Sequence, residues 1–176
     1  MKTLLSLLFA LTVSSALADT YTLYMVRGSA KLFDGATDQE LLTRIYSNDA
    51  VIEVMVETDS SSQPGTNQTH AIDYVQEWDE SGTPKSKATR DVGTKFRVQE
   101  KKGDLITYEF SHTRLERWIS ISPPKPLLQP VFTSQDTNSQ LSLKKGGLLV
   151  VGGLSAEEIH DGVSRKVMRY IIIERK

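Results

Sequence analysis

Residues 141–155, LSLKKGGLLVVGGLS, set an apolar run between two glycine pairs, Gly146-Gly147 and Gly152-Gly153. Three readings compete: a phosphate loop, a membrane segment, or a strand shaped by its glycines. Gly147 to Gly152 copies the glycine spacing of a phosphate loop. Gly153 and Leu154, however, stand where a lysine and a hydroxyl would hold phosphate and magnesium. The intervening Leu148, Leu149, Val150 and Val151 favour a strand, where a phosphate cradle needs a loop. The run is also far short of the roughly 20 apolar residues a spanning helix requires. A strand remains. Gly146-Gly147 permits a turn with positive φ, and Gly152-Gly153 removes side chains at the strand end where backbones approach or bend.

Period-two patterning extends outward from this stretch and points to half-buried strands. The clearest hairpin is 90–116. Val92, Thr94, Phe96 and Val98 alternate with Gly93, Lys95, Arg97 and Gln99, the turn carries Gly103, and Ile106, Tyr108 and Phe110 return. Further strands are expected at 21–28, 50–58, 69–80 and in the C-terminal run through Val167, Arg169, Ile171 and Ile173. Polar loops are expected at 58–68 and 79–89, a proline loop at 122–130, and a short solvated turn capped by Ser155. The spacing predicts one helix, 37–47, with Thr37 and Glu40 as a capping box and Leu41, Leu42, Ile45 and Tyr46 on its apolar face. The fold class is mainly β (α+β): a single twisted antiparallel or mixed sheet of about seven to nine strands with one helix near the N-terminus.

Residues 1–18 carry an early lysine, an apolar run and a small-residue site at Ala16-Leu17-Ala18, the pattern of a secretory signal cut before Asp19. The chain is therefore expected to be exported, with 19–176 as one domain. Without Lys2 the Lys and Arg count falls from 21 to 20, against 22 acidic residues, which argues against nucleic-acid binding. The chain has no cysteine, which excludes thiol chemistry and disulfides.

Catalytic constellations are missing from the pattern. Glu157 and His160 stand three apart, a metal-compatible spacing, but no further ligand lies nearby. His70 and His112 fall in strands, no G-x-S-x-G elbow occurs, and the acidic pairs at 79–80 and 157–158 fall in expected loops. The reading is non-enzymatic, with no cofactor, no metal and no small-molecule substrate.

The order of segments resembles the C-terminal β-domain of bacterial secretins, the outer-membrane ring proteins of type II and III secretion and type IV pilus systems. Asn67-Gln68-Thr69-His70-Ala71 stands at the family's turn before its first motif strand. Val92-Gly93-Thr94-Lys95-Phe96-Arg97-Val98 matches the VGT-x-L-x-V strand, and 145–154, KGGLLVVGGL, matches DG-x-x-VVIGGL. The helix before the strand at 50–57 also sits where the family has one. The resemblance covers most of the chain after the leader, but the family's P-x-LG-x-x-P segment does not follow Leu154. It implies an assembly protein of the periplasm or outer membrane of a Gram-negative-type envelope, partnered by itself or by a larger secretin. The structural motif residues are Val92, Gly93, Thr94, Gly103, Gly146, Gly147, Gly152 and Gly153. The alternative is a soluble binding module on the same scaffold. Trp78 and Trp118 are candidate contact residues in either case.

Overall fold

The computed structural model describes residues 18–28, 35–47, 50–61, 65–121, 127–160 and 163–176; within its strands the side chains of 121, 127, 154, 156–160 and 163–166 are left out of the description. Its first strand, β1 (Thr20–Gly28), is buried at six successive positions from Tyr21 to Val26. Successive side chains of a strand point to opposite faces, so such a run needs cover on both sides.

Two layers supply that cover. β1 lies in a four-stranded antiparallel sheet of order β2-β1-β8-β7, formed with β2 (Ala50–Asp59), β7 (Leu148–His160) and β8 (Val163–Arg175). The second antiparallel sheet, of order β3-β4-β5-β6, contains β3 (Thr66–Trp78), β4 (Pro84–Glu100), β5 (Leu105–Ile121) and β6 (Leu127–Ser142). Between the sheets Tyr21, Leu23, Met25, Ile171 and Ile173 pack on Phe96, Val98, Ile106, Tyr108 and Phe110. On the other face of the first sheet, Tyr24, Val26 and Ile172 meet Leu41 and Ile45 of α1 (Asp38–Tyr46). Each such side chain contributes roughly 1.5–3 kcal/mol of transfer free energy on full burial.

Among the described residues the β-rich class, the strand count and the single helix are as expected. The expected single layer, however, is divided in two. Alternation marks which face of a strand is apolar but not which strand lies beside it. Here β1 pairs with β8, joining Tyr21 to Arg175 across nearly the whole chain. Local pattern carries no signal for that pairing.

Several boundaries also move. Residues 155–160 continue β7 rather than forming a capped turn, because they pair in register with β8 from Ser155↔Met168 to His160↔Val163. The loop expected at 79–89 shrinks to 79–83, since β4 begins at Pro84. Pro130 lies inside β6, which is tolerated because β6 is the edge of its sheet and needs no donor on its outer side. The 122–126 part of the proline loop and residues 1–17 of the leader lie outside the described residues.

The helix cap matches the expected box. Thr37 Oγ1 accepts from the Glu40 amide at 3.4 Å, and the Thr37 amide donates to Glu40 Oε2 at 2.8 Å. Thr37→Ala is expected to lower stability by about 1 kcal/mol. Urea unfolding would check this, and an unchanged midpoint would mean that the helix contributes little to the cooperative unit.

Candidate functional site

The VGT motif sits at a fork. Pairing between β4 and β5 stops at Gly93↔Thr113. Beyond it, β3 and β4 continue together to Trp78↔Pro84, and β5 and β6 to Ile121↔Leu127. One four-stranded root thus splits into two two-stranded arms. They touch again through Tyr74 and Phe132, whose ring centroids are 5.6 Å apart, and through Arg90, which lies 5.1 Å from the Phe132 ring centroid and donates to Ser134 Oγ at 2.9 Å.

Gly93 is the residue at the split. Its φ is +124°, and a Cβ there would sit 2.1 Å from the Gln68 carbonyl oxygen. The strand therefore approaches β3 so closely that only glycine fits. Its neighbours face inward: Val92 is buried, and Thr94 Oγ1 lies 2.9 Å from His112 Nδ1 across the β4–β5 ladder.

The other motif glycines have separate roles. Gly103 and Gly146 take positive φ in turns, at +76° and +73°. Gly147 does not, although a Cβ on it would lie 2.9 Å from the Lys144 carbonyl oxygen. Gly152 and Gly153 lie within β7 rather than at its end, where they were expected. The β7–β8 register shifts between Val150 and Gly152, marking a bulge. A Cβ on Gly153 would meet the Tyr170 ring at 3.1 Å, so this glycine makes room for the aromatic side chain paired with it.

Trp78 and Trp118 stand at corresponding places on the two arms, Trp78 opposite Pro84 and Trp118 opposite Pro130. Trp118 is exposed, whereas Trp78 is half-buried and its Nε1 is buried without a hydrogen-bond partner. The arms do not bring the two indoles into a ring contact among the described residues.

Among the described residues the outer sides of the border strands have no ladder partner within their own sheet. Both sheets are open, with β2 and β7 bordering one and β3 and β6 the other. On one flank β2 and β3 lie together, and Thr66 Oγ1 donates to the Glu57 carbonyl at 2.5 Å. On the opposite flank β7 and β8 lie over β5 and β6, with Ser155 and Arg169 facing His112, Arg114, Thr133 and Gln135 across a cleft. Exposed large apolar residues lie on both borders of the first sheet, Val51 and Met55 on β2 and Leu149 and Val150 on β7, as well as on the β5–β6 arm at Trp118, Ile119 and Leu128 and on the helix at Tyr46. Within 148–154 β7 carries no charge or proline to blunt pairing, only its bulge. Sequence reasoning located the glycines of this strand but not its place at a border.

Among the described residues no three His, Asp or Glu side chains gather as a metal would require, and no helix is long and apolar enough to cross a membrane. The side chains of Glu157 and His160 lie outside the description.

No protein-family model matches the chain, and no curated protein matches it. Among solved structures it is similar to secretins. The Salmonella SPI-1 type III secretion injectisome secretin InvG is 12% identical, with a TM-score of 0.49, over 90% of this chain and 64% of that one. Aeromonas hydrophila ExeD is 16% identical, with a TM-score of 0.30, over 90% of this chain and 44% of that one. The type II secretion system secretin GspD of E. coli K12 is 12% identical, with a TM-score of 0.28, over 90% of this chain and 46% of that one. The chain spans less than two thirds of the length of each of these secretins.

Proposed function

We propose that the protein is a non-catalytic, exported envelope component that works by lateral assembly, with copies of itself or with a secretin-type outer-membrane complex. The order of the three sequence motifs supports the secretin-type setting. The observation that carries the assembly reading is the even strand number of both sheets.

In a four-stranded antiparallel sheet the two border strands run in opposite directions. A neighbour in the same orientation therefore meets the border antiparallel, β7 against β2 in one layer and β6 against β3 in the other. One operation extends both layers, and repeating it gives a head-to-tail series that closes into a ring or continues as a filament. The exposed Val51, Met55, Leu149 and Val150 supply apolar contact at the borders of the first sheet.

The test is the size of the native particle extracted in mild detergent, for the natural chain and for a Leu149→Lys, Val150→Lys variant. The natural chain is expected as an oligomer or bound to a larger complex, and the variant as a monomer with unchanged circular dichroism. A monomeric natural chain with no associated protein would overturn the reading.

A further inference from the structure

The two arms beyond the fork at Gly93 end differently. The β3–β4 arm carries Glu77, Asp79, Glu80, Lys85 and Lys87 around its end, whereas the sequence from Arg117 to Gln135 holds no Asp or Glu. Near the end of the β5–β6 arm Trp118, Ile119 and Leu128 are 43%, 38% and 55% exposed.

The ladder places these side chains. Beyond the register shift between Leu115 and Arg117 the pairs run regularly: Trp118↔Pro130, Ile119↔Gln129 and Ser120↔Leu128. Trp118, Pro130 and Leu128 therefore share one face of the two-stranded ribbon, and Ile119 lies on the other. A groove on a protein partner covers one face of a ribbon. Exposed apolar side chains on both faces call for surroundings that enclose the ribbon, and lipid does so.

The same ladder limits the depth. Past Gly93↔Thr113 β5 has left β4, so the outer sides of both β5 and β6 have no ladder partner in the arm. Such backbone groups are costly in hydrocarbon but not at the headgroup level, where water reaches them. Charge sets the same limit. Arg117 is exposed directly below Trp118, and the uncharged paired stretch from Trp118 to Ile121 is only about 13 Å long at 3.3 Å per residue, against a hydrocarbon core of roughly 30 Å. Tryptophan favours the interface, and an arginine at the rim keeps its head in water. The acidic end of the neighbouring arm likewise resists deeper entry.

We propose that the end of the β5–β6 arm is a lipid-contact site that dips into the headgroup boundary of one leaflet without spanning the bilayer, with Trp118, Ile119 and Leu128 as its apolar contacts and Arg117 at its rim. These contacts lie apart from Leu149 and Val150 at the border of the first sheet, so the site stands or falls independently of assembly.

The experiment is flotation of the full mature chain with vesicles of phosphatidylcholine and phosphatidylethanolamine. The natural chain is expected to float. A Trp118→Ser, Leu128→Asp variant should partition at least about tenfold more weakly with unchanged circular dichroism, and the Leu149→Lys, Val150→Lys variant should float like the natural chain. In brominated vesicles, bromines near the headgroups should quench tryptophan emission more than bromines near the bilayer centre. Trp118→Phe should remove the quenched signal, because Trp78 is half-buried on the other arm. No flotation of the natural chain, an undiminished partition of the double variant, or quenching strongest at the bilayer centre would overturn the site. An oligomer formed without lipid and lost in the Trp118→Ser, Leu128→Asp variant, with no flotation of the natural chain, would overturn it in favour of a protein partner. A chain that floats as a monomer would keep this site while overturning the assembly reading. Should the double variant fold poorly, the depth of quenching in the natural chain and in Trp118→Phe still decides it.

Discussion

Gly93→Ala is expected to be the most damaging single-methyl change in the chain, lowering stability by about 3–5 kcal/mol or preventing folding. Two costs combine. An L-residue at φ +124° is strained whatever the space around it, and here there is none, since the added Cβ would sit 2.1 Å from the Gln68 carbonyl oxygen. Neither atom can yield alone. Gln68 is paired to Thr94 on one rung and its neighbour Thr69 to Gly93 on the next, so relief requires separating β3 from β4 at the root of both arms.

Gly152→Ala is the matched control. That position has a bulge but no left-handed φ, and nothing lies within 4 Å of a Cβ. It should change stability by less than about 1 kcal/mol. Urea midpoints of the two variants make the comparison. Equal midpoints would show that the fork at Gly93 is not part of the cooperative structure, and would remove the physical reason for a glycine in the VGT strand.

That contrast also shows how far the sequence could be read. The hairpin around Gly103 was legible because its two strands alternate cleanly and lie a short turn apart; Phe96, Val98, Ile106, Tyr108 and Phe110 are all buried as the alternation implies. The helix was legible from its cap, which needs only residues three apart. Gly93 could be flagged as part of a motif, but the reason for it could not, because the close approach to Gln68 belongs to a pairing with a different strand. The second layer was hidden for the same reason. Tyr21 to Val26 mixes aromatic, aliphatic and one threonine side chain without strict alternation, and it reads as a short opening strand until β8 and the helix are seen to enclose it. The inter-layer cleft was wholly illegible: His112, Arg114 and Arg169 are ordinary strand residues until the two sheets place them face to face.

The second large effect is expected at the other end of the sandwich, where Asp19 and Arg175 form a buried pair. Each side chain is 9% exposed, with Arg175 Nη2 2.7 Å and Nε 2.8 Å from Asp19 Oδ2. Arg175 Nη1 also donates to the Leu143 carbonyl at 2.8 Å and lies 3.3 Å from Asp104 Oδ1, while Lys145 Nζ reaches Asp19 Oδ1 at 2.5 Å. Asp19→Asn removes the charge but keeps the shape, leaving Arg175 buried beside an amide. Breaking a buried pair from one side costs about 3–5 kcal/mol when the remaining charge is left alone. Here Asp104 and the Leu143 carbonyl still face Arg175, so the expected loss is about 2–3 kcal/mol.

The pair also sets an acid limit. Donation from Lys145, then Arg175, holds the Asp19 carboxyl below its ordinary value. A folded pKa lower than the unfolded one means that the unfolded chain binds the proton more tightly. The contribution is therefore full above the ordinary carboxylate range and is lost as pH falls through it to the lowered folded value. Glu57, lowered by Lys176 and then Thr22, titrates in the same direction, so the acid slope of the natural chain alone does not isolate Asp19. The difference between the natural chain and Asp19→Asn does: the gap in stability should be widest near neutral pH and should narrow below about pH 4. A gap that stays constant down to pH 2 would show that the carboxylate charge is not what holds Arg175. A chain that begins at Thr20, and so lacks Asp19, is expected to reproduce the neutral-pH loss, which the same urea comparison would check.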